Sequence, residues 1–124
     1  MIDWSDYPNF TEAEMRCKCD CGRADMDPAF MAALQRVREA YGRPMRVTSG
    51  FRCKDYDKRV GGAGVHPTGQ AADIAVSGED AHALLTVAIG MRGIGLKQHG
   101  PHVSRFLHMD MTDGPMRPRI WSYT

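Results

Sequence analysis

The stretch His66-Pro67-Thr68-Gly69-Gln70-Ala71-Ala72-Asp73-Ile74-Ala75-Val76 decides how this chain is read. Its second half, Ala71 to Val76, is small and apolar apart from one carboxylate, the pattern of a buried strand. Its first half places His66 in a loop seven residues before that carboxylate. Burying Asp73 in such a strand without a partner costs several kcal/mol of desolvation, so it needs a cation, hydrogen bonds or a metal. A second stretch, Phe106-Leu107-His108-Met109-Asp110, repeats the theme. Strand alternation puts His108 and Asp110 on one face in another apolar setting. Two histidines and one carboxylate make the three-ligand set that leaves a catalytic zinc an open position. Taken singly, each has an ordinary reading as a loop histidine, a turn-bonded carboxylate or a satisfied core histidine.

Asp27 and Pro28 predict a helix start, since Asp accepts from the free first-turn N–H groups and Pro at the first position loses no bond. Phe30, Leu34, Val37 and Tyr41 repeat at helical spacing until Gly42 and Pro44 stop the run. Met45 to Ser49 predicts a short strand. Gly61-Gly62-Ala63-Gly64 predicts a flexible loop, and without a Gly-Lys-Ser/Thr ending it does not cradle phosphate. Ser77 and Asp80 have capping-box spacing and predict a second helix, with Leu84, Leu85, Ala88 and Ile89 as its core face and Gly93 as its end. Ile94 to Leu96 and Phe106 to Met111 predict two further strands around a loop holding His99, Gly100, Pro101 and His102. The expected fold class is α+β, a small antiparallel sheet with flanking helices, rather than a βαβ nucleotide-binding unit. Residues 1–124 are expected to form one domain, with 1–25 an irregular, cysteine-containing arm.

Composition narrows the function. The 124 residues are 43% hydrophobic and 25% charged, ordinary values for one folded domain with a modest core. A net charge of +1, with basic residues spread along the chain, argues against a nucleic-acid partner. No apolar run approaches the roughly 20 residues that span a bilayer, so no membrane partner is expected. The start, Met1-Ile2-Asp3-Trp4-Ser5-Asp6, is acidic and polar, which predicts cytoplasmic synthesis without a signal peptide. Cys17, Cys19 and Cys21 crowd one segment and Cys53 stands apart. The three converge if their segment is extended, but C-x-C-x-C is narrower than the usual zinc spacing. Packing, a Cys–Cys bridge and an accessory metal stay open, and a structural role is expected in preference to redox catalysis.

Ser49-Gly50-Phe51-Arg52, Val60-Gly61-Gly62, His66 through Ile74 and Phe106 through Asp110, in that order, resemble the M15 zinc peptidases. This is the D-alanyl-D-alanine carboxypeptidase and hedgehog-like superfamily, which includes phage endolysin peptidases. The similarity looks closest to the small M15A branch and runs from about Phe10 to Trp121-Ser122-Tyr123. It implies a hedgehog/DD-peptidase-like fold, with His66, Asp73 and His108 as ligands of Zn2+. It implies that Arg52 holds the scissile carbonyl or the developing oxyanion, a role suited to a permanently charged, rigid donor fork. Ser49 is expected to bind the substrate backbone or orient Arg52, and Trp121 to wall the substrate groove or anchor the C-terminus on the core. Asp110 is expected to fix a histidine tautomer or to act on the attacking water.

The sequence also departs from the family. Relatives commonly carry an acidic base a few residues before the last histidine ligand, and here Arg105 stands three residues before His108. His102 and Asp110 are therefore the candidate bases. Gly64-Val65 stands where relatives often have Ser-x, and the segment around Asp55 and Asp57 lacks the usual His-Asn.

The resemblance implies a monomeric peptidase whose partner is the stem peptide of bacterial peptidoglycan, cut as a carboxypeptidase or an endopeptidase. The expected place of action is the cell wall, reached after holin-mediated release or as a virion component. The alternative from another class is a non-catalytic zinc module that binds the wall or builds a virion. A closed fourth ligand position would mark that alternative.

Overall fold

The computed structural model describes residues 2–114 and 116–124. A helical arm comes first, with a 3-10 turn at Trp4–Asp6 and α1 at Glu12–Met15. There follow α2 (Pro28–Tyr41), β1 (Arg46–Ser49), α3 (Lys54–Arg59), a 3-10 turn at His66–Thr68, β2 (Ala71–Ala75) and α4 (Gly78–Ala88). The chain ends with β3 (Gly93–Lys97), a 3-10 turn at His102–Ser104, β4 (Phe106–Asp110) and β5 (Arg119–Ser122). Among the described residues, five strands form one sheet in the order β1-β2-β4-β3-β5. The expected α+β class holds, and β1, β2, β4 and β3 pair antiparallel as expected. The fifth strand corrects the all-antiparallel expectation, because β5 runs parallel to β3 at the edge. Three of its four residues are exposed, so it carries no alternating apolar pattern to announce it.

The sheet has two unlike faces. Ala72, Ile74, Ile94, Leu107 and Met109 join Phe30, Met31 and Leu34 of α2 and Leu84 and Ala88 of α4 in one buried core. The alternate residues Asp73, His108 and Asp110 project from the other face. α2 forms as its sequence predicts: the Phe30 N–H donates to the Asp27 side chain, and Gly42 closes the helix at φ 71 with its N–H on the Arg38 carbonyl. The second helix differs in two respects. Ser77 makes no capping bond, and the helix stops at Ala88, which leaves Ile89 65% exposed instead of in the core. Gly93 does not end that helix but opens β3, where a Cβ would collide with the Asp110 carboxylate.

The segment 2–25 contains a 3-10 turn and α1. Thr11 and Glu14 form a reciprocal capping box that starts α1. Met15 is fully buried, and its carbonyl accepts from the Phe51 N–H at 2.9 Å. A Cβ on Gly50 would meet the Met15 Cα at 2.8 Å, so the close approach of the two segments requires glycine there. The arm is thereby tied to the turn that carries Arg52. The helix α3 was also not foreseen, because Lys54-Asp55-Tyr56-Asp57-Lys58-Arg59 offers no apolar period.

Candidate active site

Antiparallel pairing of β2 and β4 sets Asp73 directly opposite His108. The 3-10 turn before β2 brings in His66, which is buried rather than a free loop residue. One donor atom from each of His66, Asp73 and His108 lies within 4.8 Å of the others. His66 Nε2 is 3.5 Å, and His108 Nδ1 2.9 Å, from Asp73 Oδ1. Donors held about 2.0–2.1 Å from a tetrahedral zinc stand roughly 3.3 Å apart, so these spacings fit a metal.

The outer hydrogen bonds choose which nitrogen is free. His66 Nδ1 lies 2.7 Å from the Gly50 carbonyl, which can only accept, so Nδ1 carries the proton and Nε2 offers its lone pair. His108 Nε2 lies 2.7 Å from Asp110 Oδ2, which leaves Nδ1 facing Asp73. Asp110 is fully buried and also accepts from Arg117 twice, Nε to Oδ1 and Nη2 to Oδ2, both at 2.9 Å. Burial alone would raise the Asp110 pKa, but bonds from His108 and Arg117 outweigh it and hold the carboxyl well below the usual carboxylate range. Asp73 behaves alike, its burial outweighed by bonds from His108 and His66. For His108, burial disfavours the charged ring, yet bonds to Asp110 and Asp73 prevail and raise its pKa.

Arg52 enters from the turn after β1. Its Nε donates to Ser49 Oγ at 3.0 Å and its Nη1 to Asp57 Oδ1 at 3.0 Å. Its Nη2 then stands 3.6 Å from Asp73 Oδ2, beside the three metal-capable donors. Asp57 is itself buried and accepts from the Gly64 N–H at 2.9 Å, and a Cβ on Gly62 would overlap its carboxylate. Residues 8–110 match the family model for Peptidase M15. The chain belongs to the peptidase M15 family. No curated protein matches it significantly.

The other site residues expected from the M15 resemblance fall in different places. Trp121 lies over the centre, its ring centroid 5.3 Å from that of His108, in the space left by Gly95, where a Cβ would meet the indole at 2.8 Å. His102 is exposed and its Nδ1 lies 3.0 Å from Ser77 Oγ. It is not among the residues that line the cleft. Asp110, the other candidate base, accepts hydrogen bonds from Arg117 and Thr112 and lies against His108 Nε2.

The cleft over the triad has a volume of about 590 Å³. Phe106, Trp121 and Tyr123 supply its aromatic wall, and Asp73 is its only carboxylate among the described residues. Sequence reasoning gave no role to Asp57, Arg117 or Gly95, and read Gly93 only as a helix end.

Proposed function

We propose that this M15 chain is a zinc-dependent peptidase acting on the stem peptides of bacterial peptidoglycan. The observation that carries the reading is the shape of the donor set. Three protein ligands converge on the floor of an open cleft, and no fourth protein ligand closes it among the described residues. That is the arrangement of a catalytic zinc site rather than a structural one. A zinc ion held there supplies Lewis acidity toward a peptide carbonyl and toward water.

The chain's own residues supply the remainder. Arg52, fixed at Nε and Nη1 by Ser49 and Asp57, keeps Nη2 beside the donors, where it can hold negative charge developing on a substrate carbonyl oxygen. The Gly50 carbonyl and the Asp110–Arg117 pair hold the two imidazole rings in their ligating orientation. Trp121 is flanked by Arg117 and Arg119, whose guanidinium carbons lie 4.9 and 5.3 Å from its ring centre. A wall of aromatic and cationic groups suits a peptide bearing free carboxylates, as wall stem peptides do. Release through a holin or carriage on a virion belongs to the same proposal. No helix among the described residues is long and apolar enough to cross a membrane.

The test combines metal analysis with digestion of purified peptidoglycan, on wild type and His108→Ala. Released peptide fragments from wild type, with zinc at the His/Asp centre, support the proposal, and both should vanish in the variant. Fragment masses then identify the bond. Zinc retained at that centre without any product supports the binding module instead.

A further inference from the structure

A second cluster of ligand-type atoms includes Cys53, the residue that follows Arg52. The sulfurs of Cys17, Cys19, Cys21 and Cys53 all lie within 4.8 Å of one another, and none is disulfide-bonded. Cys17 Sγ is 3.3 Å from Cys19 Sγ, which is 3.6 Å from Cys53 Sγ. Four sulfurs at about 2.3 Å from a tetrahedral zinc stand roughly 3.8 Å apart, slightly wider than these two separations and inside the 4.8 Å span of the cluster. We propose that these four cysteines form a closed, structural zinc site that clamps the N-terminal arm to the Arg52 turn.

Three observations support it. First, backbone N–H groups already point at the sulfurs: Cys21 N–H to Cys19 Sγ at 3.3 Å, Cys53 N–H to Cys17 Sγ at 3.4 Å and Tyr56 N–H to Cys53 Sγ at 3.5 Å. Such donors stabilise thiolate, the form that binds metal. Second, the loop is preformed. The Cys17 N–H donates to the Arg23 carbonyl at 2.8 Å, and Gly22 takes the left-handed φ of 69 that the return requires. Third, a tetrathiolate zinc carries two net negative charges, and the hollow beside Cys53 holds two cations, Arg23 and Lys54, against one carboxylate, Asp55, with Arg23 also paired to Asp25. With four protein ligands no position remains for water, so the site is structural. Soft thiolates select zinc over magnesium or calcium.

The placement gives the site its purpose. Cys53 follows Arg52 directly, and its sulfur caps α3, which carries Asp57. A metal at Cys53 therefore fixes both the Arg52 backbone and the helix that orients its guanidinium.

The test uses the full chain as isolated, with metal analysis and zinc X-ray absorption on wild type, His108→Ala and the double variant Cys19→Ser/Cys21→Ser. His108→Ala is expected to retain one zinc with four sulfur neighbours at about 2.3 Å. The double variant is expected to lose the sulfur signal and unfold at a lower temperature. The His108→Ala measurement stands even if the double variant fails to fold. Zinc without sulfur neighbours, iron in place of zinc, or cysteines found paired as disulfides would each overturn the assignment. A sulfur-bound zinc with an empty His/Asp centre leaves this inference standing and removes the proposed peptidase, so the two fail separately.

Discussion

Asp57→Asn isolates the hold on Arg52. The carboxylate is buried, with 4% of its side chain exposed against 17% for Arg52, so the pair is poorly screened by solvent. In the native site one oxygen accepts from Arg52 Nη1 and the other from the Gly64 N–H. Asparagine keeps the shape but turns one acceptor into a donor, which then faces either the guanidinium or the Gly64 amide. A hydrogen bond to a charged group contributes about 1.5–3 kcal/mol. If that free energy serves to place Arg52, its loss lowers kcat/KM by roughly ten- to a hundredfold, at about 1.4 kcal/mol per tenfold. Metal content should not change, because Asp57 offers no donor to the His66, Asp73 and His108 set. The assay is kcat/KM on a purified stem peptide for wild type, Asp57→Asn, Arg52→Ala and the double variant. If Asp57 acts through Arg52, the double variant is no slower than Arg52→Ala alone. An Asp57→Asn penalty that persists undiminished without Arg52 would refute the argument.

Asp110→Asn strips the anionic partner from Arg117, whose side chain is only 9% exposed. A loss of about 3–5 kcal/mol in stability is expected, with metal affinity down about 10–100-fold; unaltered metal titration would show that Asp110 does not orient His108. The raised pKa of His108 gives a pH signature. In the metal-free protein its stabilising contribution is full below the unfolded value of about 6.5 and is lost as pH rises through the higher folded value. Metal binding needs Nδ1 unprotonated, so the difference in Tm between metal-loaded and chelator-treated protein should shrink on acidification, and a constant difference would contradict the assigned donor atom. His102→Ala removes an exposed contact to Ser77 and should alter kcat/KM by no more than about twofold, the usual scale for a surface substitution. A large loss would return His102 to the reaction.

The metal-capable triad was legible because its residue types are anomalous where they stand. A carboxylate inside Ala71–Val76 and a histidine between Leu107 and Met109 demand partners, and the partners turn out to be each other. Asp57 and Arg117 were not legible, since charged residues in charged, apparently exposed segments look like solvated surface. Their burial is created by tertiary approach: Asp57 by the glycine loop closing over it, Arg117 by a return across the sheet to Asp110. His102 takes a place that its sequence position does not announce. Six residues from His108 along the chain, it turns instead to the start of α4, where it occupies the hydroxyl expected to cap that helix. Gly93, expected to end a helix, and Gly95, given no role, serve by leaving space. Gly93 makes room for the Asp110 carboxylate and Gly95 for the Trp121 ring.

The site's geometry follows from the core more than from the ligands. Asp73 pairs with His108 because Ile74 pairs with Leu107 and Ala72 with Met109 on the opposite face. Those four apolar residues are at most 1% exposed, so burial strongly specifies the register. A slip of one residue between β2 and β4 would carry Leu107 and Met109 into the cleft and His108 into the helices. It would expose two large apolar side chains and strand an ionisable ring in the core, each a cost of kcal/mol order. Unpaired, the ligand carboxylate and imidazole would also be costly to bury. In this register they satisfy each other without metal, His108 Nδ1 at 2.9 Å from Asp73 Oδ1. The same hydrophobic alternation that closes the core thus positions two of the three donors, and the turn at His66–Thr68 brings in the third.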